Sequence, residues 1–195
     1  MTTWLAVADS PYAAGFLEAI QEPVRSITCN AGIRLLRPDV YVLFDAAACP
    51  VYRDEAYAAR VEGTWLVTLL RLGQALADRG VLDFDEFIAI EGYTSGRLDR
   101  SHWYNLVLSR PYTWQYALHR GATRLILVGN EGYPPGHPCH RFSEKFLQPM
   151  LAQAVELWPE TEFEFCGVAN FELPARMTQF RTPLEYVERE LCASN

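Results

Sequence analysis

Residues 109–141, SRPYTWQYALHRGATRLILVGNEGYPPGHPCHR, constrain the chain more than any other stretch. Leu125, Ile126, Leu127 and Val128 form an apolar run with no alternation. A strand of that kind is buried on both faces, as in a parallel sheet covered by helices. Upstream, Trp114, Ala117 and Leu118 recur at three- and four-residue spacing, which predicts a helix with one apolar face. Pro111 suits its first position, where the N–H has no intrahelical partner. Gly121 suits its end, because glycine adopts the left-handed cap conformation at little steric cost. Downstream the chemistry changes abruptly to Gly129, Asn130, Glu131, Gly132 and Tyr133, then His137, His140 and Arg141. Open α/β sheets bind ligands outside the carboxyl ends of their strands, so the site is expected there.

The same grammar recurs earlier. Residues 4–8 break into Asp9-Ser10-Pro11 ahead of a helical pattern over 12–20. Such a turn can receive a phosphate through free N–H groups and the helix dipole. The plainer alternative is that Asp9 or Ser10 caps the helix, since the glycines of a dinucleotide or P-loop fingerprint are absent. Residues 26–30 predict a second strand ending at Asn30, with Ala31 and Gly32 leaving the backbone open to a ligand; asparagine also stabilises turns. Residues 40–44 predict a third strand ending at Asp45, either a ligand for a ribose hydroxyl or metal-bound water, or a helix cap.

Residues 52–60 read as a helix, 64–70 as a strand or a helix start, and 87–90 as another strand. Residues 91–105 are the longest polar and aromatic connection, of a length that often serves as a lid. His102 and Trp103 within it either close over a ligand or cover a core edge. A helical pattern over 142–157, a last strand over 163–168 and a charged helix over 183–191 complete the chain. Strands alternating with helices indicate one Rossmann-like domain over 1–195, a three-layer α/β sandwich with a mostly parallel central sheet.

A net charge of −7 gives no general attraction to nucleic acid. Five cysteines without a CxxC pair support neither a disulfide framework nor a zinc ribbon. With no signal segment and no apolar run near the ~20 residues of a membrane span, a cytoplasmic setting without membrane association is the expectation. The oligomeric state stays open, a homo-oligomer included.

The order of these features resembles the Rossmann-like group that joins DUF115 and MptE-like proteins, including archaeal 6-hydroxymethylpterin diphosphokinases, with the family 42 bacterial sialyltransferases. The matching pieces are Asp9-Ser10-Pro11, Cys29-Asn30, Phe44-Asp45 and residues 117–133, ALHRGATRLILVGNEGY. Two departures are visible: the family's Gly-rich phosphate loop is reduced to Ala8-Asp9-Ser10-Pro11, and Asn130 stands where the family has Asp. The resemblance implies a transferase, with glycosyl transfer as the first reading, that places a nucleotide-activated donor across the carboxyl edge of the sheet and a small hydroxyl-bearing acceptor beside it. Asp9, Ser10, Asn30, Ala31, Gly32, Asp45 and Asn130 would contact the nucleotide. Ser109, Tyr112 and Thr113, with Arg110, would face phosphate or acceptor at a helix N-terminus.

In that reading His137 or His140 takes the acceptor proton, while Arg110, Tyr112 and Tyr133 stabilise the departing phosphate. His137, Cys139 and His140 also invite a zinc reading, but three ligands within four residues do not close one tetrahedron. A diphosphokinase is the alternative, with ATP and Mg²⁺ held by Asp45 and Glu131. A non-catalytic nucleotide-binding module is the third reading. A hydroxylated DNA base is among the acceptors that the first reading admits.

Overall fold

The computed structural model describes residues 2–77, 83–91, 96–104, 106 and 108–193. Eight strands form one sheet: β1 (Thr3–Val7), β2 (Arg25–Cys29), β3 (Val40–Leu43), β4 (Trp65–Leu69), β5 (Glu86–Ile88), β6 (Arg124–Val128), β7 (Glu162–Cys166) and β8 (Thr178–Phe180). Their order is β5-β4-β3-β2-β1-β6-β7-β8, and every pairing is parallel. The helices are α1 (Ala13–Ala19), α2 (Cys49–Val61), α3 (Leu70–Ala77), α4 (Ser109–His119), α5 (His140–Phe142), α6 (Gln148–Leu157) and α7 (Pro183–Ala193). A 3₁₀ turn (Asn30–Arg34) follows β2, and a π-helical turn (Ser143–Leu147) joins α5 to α6. This is the three-layer α/β sandwich that the alternation of patterns implies.

Burial on both faces explains the apolar strands. One face carries Trp4, Ala6, Ile27, Leu125, Leu127 and Phe165 under α4 and α6. The other carries Leu5, Val7, Ile126 and Val128 under α1 and α7, and Tyr41, Leu43 and Leu66 under α2 and α3. All five residues of β6 are buried. At the amino end of β6, Arg124 bonds Glu22, Glu164, Glu190 and Tyr186, pinning α7 to the sheet through a partly buried charge cluster.

The chain builds β1 to β5 outward in one direction, then returns over one face through α4 and builds β6 to β8 outward from the other side of β1. The strand order therefore reverses between β1 and β6. Connections leave these two strands in opposite directions, which opens a crevice at their carboxyl ends. Register brings those ends level: Val7 pairs with Thr28 on one side and Val128 on the other.

Several expectations differ in detail. The residues at 64–70 are both a strand and a helix start, because β4 runs directly into α3. Helix α4 begins at Ser109, so Pro111 is its third residue, still within the turn whose N–H groups lack partners. Instead of one apolar face, α4 has residues 111–118 buried all round. Its buried polar donors find partners among nearby carbonyls: Gln115 Nε2 donates to those of Asp99 (3.0 Å) and His102 (2.8 Å), and the Thr113 hydroxyl to that of Arg110 (2.7 Å). The short β8 carries no pattern strong enough to announce it. Of the 91–105 connection, residues 92–95 and 105 lie outside the described residues. The described remainder packs on α4: Trp103 lies edge-on to His119 at 4.7 Å, and Leu98 is buried.

At the reversal, Gly129 has φ +74°, and a Cβ there would run into the carbonyl oxygen of Ala8. Gly129→Ala should therefore lower stability by at least about 2 kcal/mol, from left-handed strain plus separation of β1 from β6. Urea unfolding of the two proteins measures this; an unchanged midpoint would mean the two strand ends are not in close approach.

Candidate functional site

The carboxyl ends of β1, β2 and β3 and the start of α4 enclose a cavity of about 240 Å³. Its walls include Asp9 after β1, Cys29, Asn30 and Ala31 after β2, Asp45 after β3, Ser109 and Arg110 from α4, and Tyr133 after β6. Sequence reasoning placed most of these residues at one site, and the fold brings them together. Leu147, from the π-helical turn, also contributes. Such turns occur frequently at functional sites, but nothing in the sequence marked this one.

Local structure explains each position. Asn30 is the one non-glycine residue with positive φ among the described residues, at +48°, a conformation asparagine tolerates better than most. Its Nδ2 reaches Ser109 Oγ at 3.5 Å, the outer limit of a hydrogen bond, while its buried Oδ1 has no partner. Gly32 lies just behind, where a Cβ would collide with the Thr28 hydroxyl; it allows the turn to fold back on β1 rather than lining the cavity. Asp45 is exposed, and its Oδ1 accepts the Ala47 N–H at 2.8 Å, so an Asx turn orients the carboxylate.

Arg110 lies over the Tyr133 ring, with 5.8 Å from Cζ to the centroid, and its buried Nη1 has no hydrogen-bond partner. The first turn of α4 lacks a side-chain cap, leaving backbone N–H groups beside this guanidinium. The Cys29 thiol is pushed up to about 12 by burial, with Arg110 pulling more weakly the other way. It is therefore a protonated wall residue at neutral pH and not a nucleophile.

Other expected residues sit elsewhere. Ser10 accepts the Tyr12 N–H at 3.1 Å in the turn before α1. Asn130 is 1% exposed, and its whole amide is engaged: Nδ2 donates to the Ala6 (3.1 Å) and Val128 (2.9 Å) carbonyls, and Oδ1 accepts Trp114 Nε1–H at 3.1 Å. Its position is structural, inside the sheet–helix contact. Thr113 is buried within α4.

His137 stacks on Tyr133 at 4.7 Å, and its Nδ1 accepts the Cys139 N–H at 3.0 Å. His140 Nδ1 donates to the Tyr133 carbonyl at 2.7 Å, with Nε2 3.8 Å from Glu144. Both histidines fasten the loop that carries Tyr133, and neither lines the cavity. Among the described residues no group of three His, Cys, Asp or Glu is placed to hold a metal ion, so His137, Cys139 and His140 do not converge.

Glu131 is set back from the cavity. It is 5% exposed, packs on Gly167, and has an unpartnered Oε1. Asp45 and Glu131 therefore occupy different places, one on the cavity rim beyond β3 and the other buried between the ends of β6 and β7. Asp9 and Asp45 are the carboxylates that share the cavity wall, and they are the pair that could face a cation carried by a phosphate ligand.

A second cavity, of about 310 Å³, adjoins the first and shares Asp45, Leu108 and Ser109 with it. Phe44, Ala46, Leu69, Leu106 and Tyr112 form its other walls. Tyr112, expected beside a phosphate, instead packs edge-on to Phe44 at 4.3 Å, and its hydroxyl accepts the Leu106 N–H at 2.8 Å. A larger, open groove of about 430 Å³ lies at the opposite edge of the sheet, between Thr2, Arg25 and Arg120. Arg120 is already paired there with Glu86, and none of the unpartnered buried polar atoms lines that groove. The carboxyl-edge cavities are the better candidate.

No family model matches the chain, and neither the curated proteins nor the solved structures contain a significant match. No described helix is long and apolar enough to cross a membrane.

Burial raises the Glu131 carboxyl above its ordinary value, outweighing the opposing pull of its own backbone N–H, of Ser10 and of Arg110. A carboxyl raised on folding contributes its full stability below the unfolded-state value, about 4.3, and loses it as pH climbs through the folded-state value. Glu131→Gln should then be more stable than the native chain at pH 8, with the gap closing towards pH 4. Urea midpoints across that range measure the gap; a constant difference would mean Glu131 ionises freely in the fold.

Proposed function

We propose that this protein is a transferase that binds a nucleotide-activated donor at the carboxyl-edge cavity and moves a glycosyl group from it to a hydroxyl. The observation that carries the reading is a concentration of unmet hydrogen-bonding groups. Buried polar atoms in folded proteins are overwhelmingly paired, and exceptions call for a specific explanation. Among the described residues five buried side-chain atoms lack a partner. Asn30 Oδ1 and Arg110 Nη1 belong to residues lining the cavity, and Glu131 Oε1 lies close behind it; Trp4 and Gln115 hold the other two.

These atoms are complementary to a nucleotide. Arg110 offers a donor fork for phosphate oxygens, supported by the uncapped first turn of α4, whose dipole favours an anion. Asn30 Oδ1 needs a donor, which a ribose hydroxyl or a base N–H supplies. Placement at the strand-order reversal is where open α/β sheets hold such ligands. In the transfer, negative charge grows on the departing phosphate, and a fixed guanidinium in a partly dry wall stabilises it with little reorganisation.

The resemblance to the DUF115, MptE-like and family 42 sialyltransferase group points the same way. The diphosphokinase reading needs Asp45 and Glu131 on one metal, and their separation favours glycosyl transfer.

Nucleoside mono- and diphosphates should raise the melting temperature, since a ligand at one hundred times its Kd adds about 2.7 kcal/mol to stability. Arg110→Gln should weaken that binding by about 10- to 100-fold, the usual scale of a hydrogen bond to a charged group. Titration calorimetry of both proteins reads the effect. Equal affinity in the variant, or no stabilisation of the native chain by any nucleotide, would overturn the reading.

A further inference from the structure

The paired cavities share a wall, and that wall contains a carboxylate. Asp45, Leu108 and Ser109 line both cavities, while Arg110, Asn30 and Asp9 line only the first, and Phe44, Ala46, Leu69, Leu106 and Tyr112 only the second. Small-molecule sites ordinarily measure about 300–1,000 Å³. At about 240 and 310 Å³ each cavity lies below or at the bottom of that range, whereas the two together fall inside it. A ligand set spanning both accounts for the volume better than either cavity alone.

The two compartments differ in charge. The first combines a cation with two carboxylates, and its unpartnered Arg110 donor suits an anion. The second contains Asp45 but no cation, so nothing there holds a phosphate or a carboxylate ligand. Although most of its lining residues are apolar by type, the surface they present is mostly polar, which suits a hydroxylated group better than a hydrocarbon. A dry cavity of about 150 Å³ holds benzene, so this space accepts one ring with its substituents and not a polymer chain.

From these observations we infer that the second cavity is the acceptor subsite for a neutral, hydroxyl-bearing ring, and that Asp45 is the catalytic base that takes the proton from the acceptor hydroxyl. The inference rests on the proposed transferase reading. Asp45 and Asp9 are the lining carboxylates, and Asp45 is the one that faces both compartments. Its Oδ1 is oriented by the Ala47 N–H, which leaves the other oxygen to point at a ligand. His137 and His140, the bases suggested by residue type, line neither cavity.

In the step, the acceptor O–H proton passes to the Asp45 carboxylate as the acceptor oxygen forms a bond to the anomeric carbon of the donor. The bond from that carbon to the donor phosphate oxygen breaks. Its electron pair stays on the phosphate beside Arg110, and the proton leaves Asp45 for solvent when the product departs.

Two variants of the full chain separate the parts of this inference. Ala46 is exposed and lines the second cavity alone, so Ala46→Trp fills that cavity with little risk to the fold. Saturation-transfer NMR uses a probe panel of methyl glycosides and 5-hydroxymethyl-2′-deoxyuridine, with nucleotide-induced melting shifts recorded on the same samples. At least one probe should bind the native chain and be lost in Ala46→Trp, while the nucleotide shift persists. Asp45→Asn should keep probe affinity within about threefold and lose 10²–10⁴-fold in transfer from the nucleotide sugar that stabilises the protein. His137→Ala and His140→Ala should lose far less.

Absence of probe binding, binding that survives Ala46→Trp, or full transfer in Asp45→Asn would overturn the inference while leaving nucleotide binding intact. Loss of the nucleotide shift with probe binding preserved would instead overturn the donor reading and the assignment of Asp45 that rests on it, leaving only the pocket.

Discussion

The side-chain amide of Asn130 holds the architecture at its most demanding point. It bonds the carbonyls of Ala6 and Val128 and the indole of Trp114, thereby tying β1, β6 and α4 together where the strand order reverses. Every group in that contact is buried, so each hydrogen bond replaces water that has no access, and losing one would strand a polar atom in the core. With Trp114 fixed, the first turn of α4 has one place to go, and Ser109 and Arg110 arrive beside the ends of β1 and β2. Gly129 completes the arrangement, since it alone lets β6 turn away against Ala8.

The polar groups around this point divide into two kinds. Asn130, Thr28, Ser10 and the loop histidines are satisfied by the protein and maintain shape. Asn30, Arg110 and Glu131 each retain an unpaired buried atom, the first two in the wall of the cavity and the third set back from it. A fold that satisfies Asn130 completely and leaves Arg110 Nη1 open a short distance away is not careless about polar burial in general. In the proposed reading, the unpaired atoms of Asn30 and Arg110 are the ones for which a ligand supplies the partners.

Much of the fold was legible because local patterns and tertiary environment agree. The run from Leu125 to Val128 is continuous because both faces are covered, and residues 4–8, 26–30 and 40–44 run up to Asp9, Asn30 and Asp45 at the open edge of the sheet. Asn130 shows the limit of such reading. A polar residue following a buried strand suggests a ligand contact, yet its partners lie 124 residues away at Ala6 and 16 away at Trp114, distances at which sequence pattern is silent. The same applies to the all-round burial of α4, which depends on carbonyls from Asp99 and His102 meeting Gln115. The second cavity was invisible for a related reason: Leu69 and Leu106 carry no polar signal, and Tyr112 reads as a phosphate contact until the chain brings all three beside Asp45. The histidines drew attention by residue type, whereas their geometry assigns them to the Tyr133 loop.

The central claim is that the cavity at the carboxyl ends of β1, β2 and β3, with Arg110 at its wall, is where a phosphorylated ligand binds. Amide chemical-shift mapping of the full chain during titration with a nucleoside diphosphate tests this most directly. The account predicts shifts concentrated at Asp9, Asn30, Ala31, Asp45, Ser109 and Arg110, with Thr2, Arg25 and Arg120 at the opposite edge unmoved. Shifts gathered at that opposite edge, with the crevice residues silent, would contradict it.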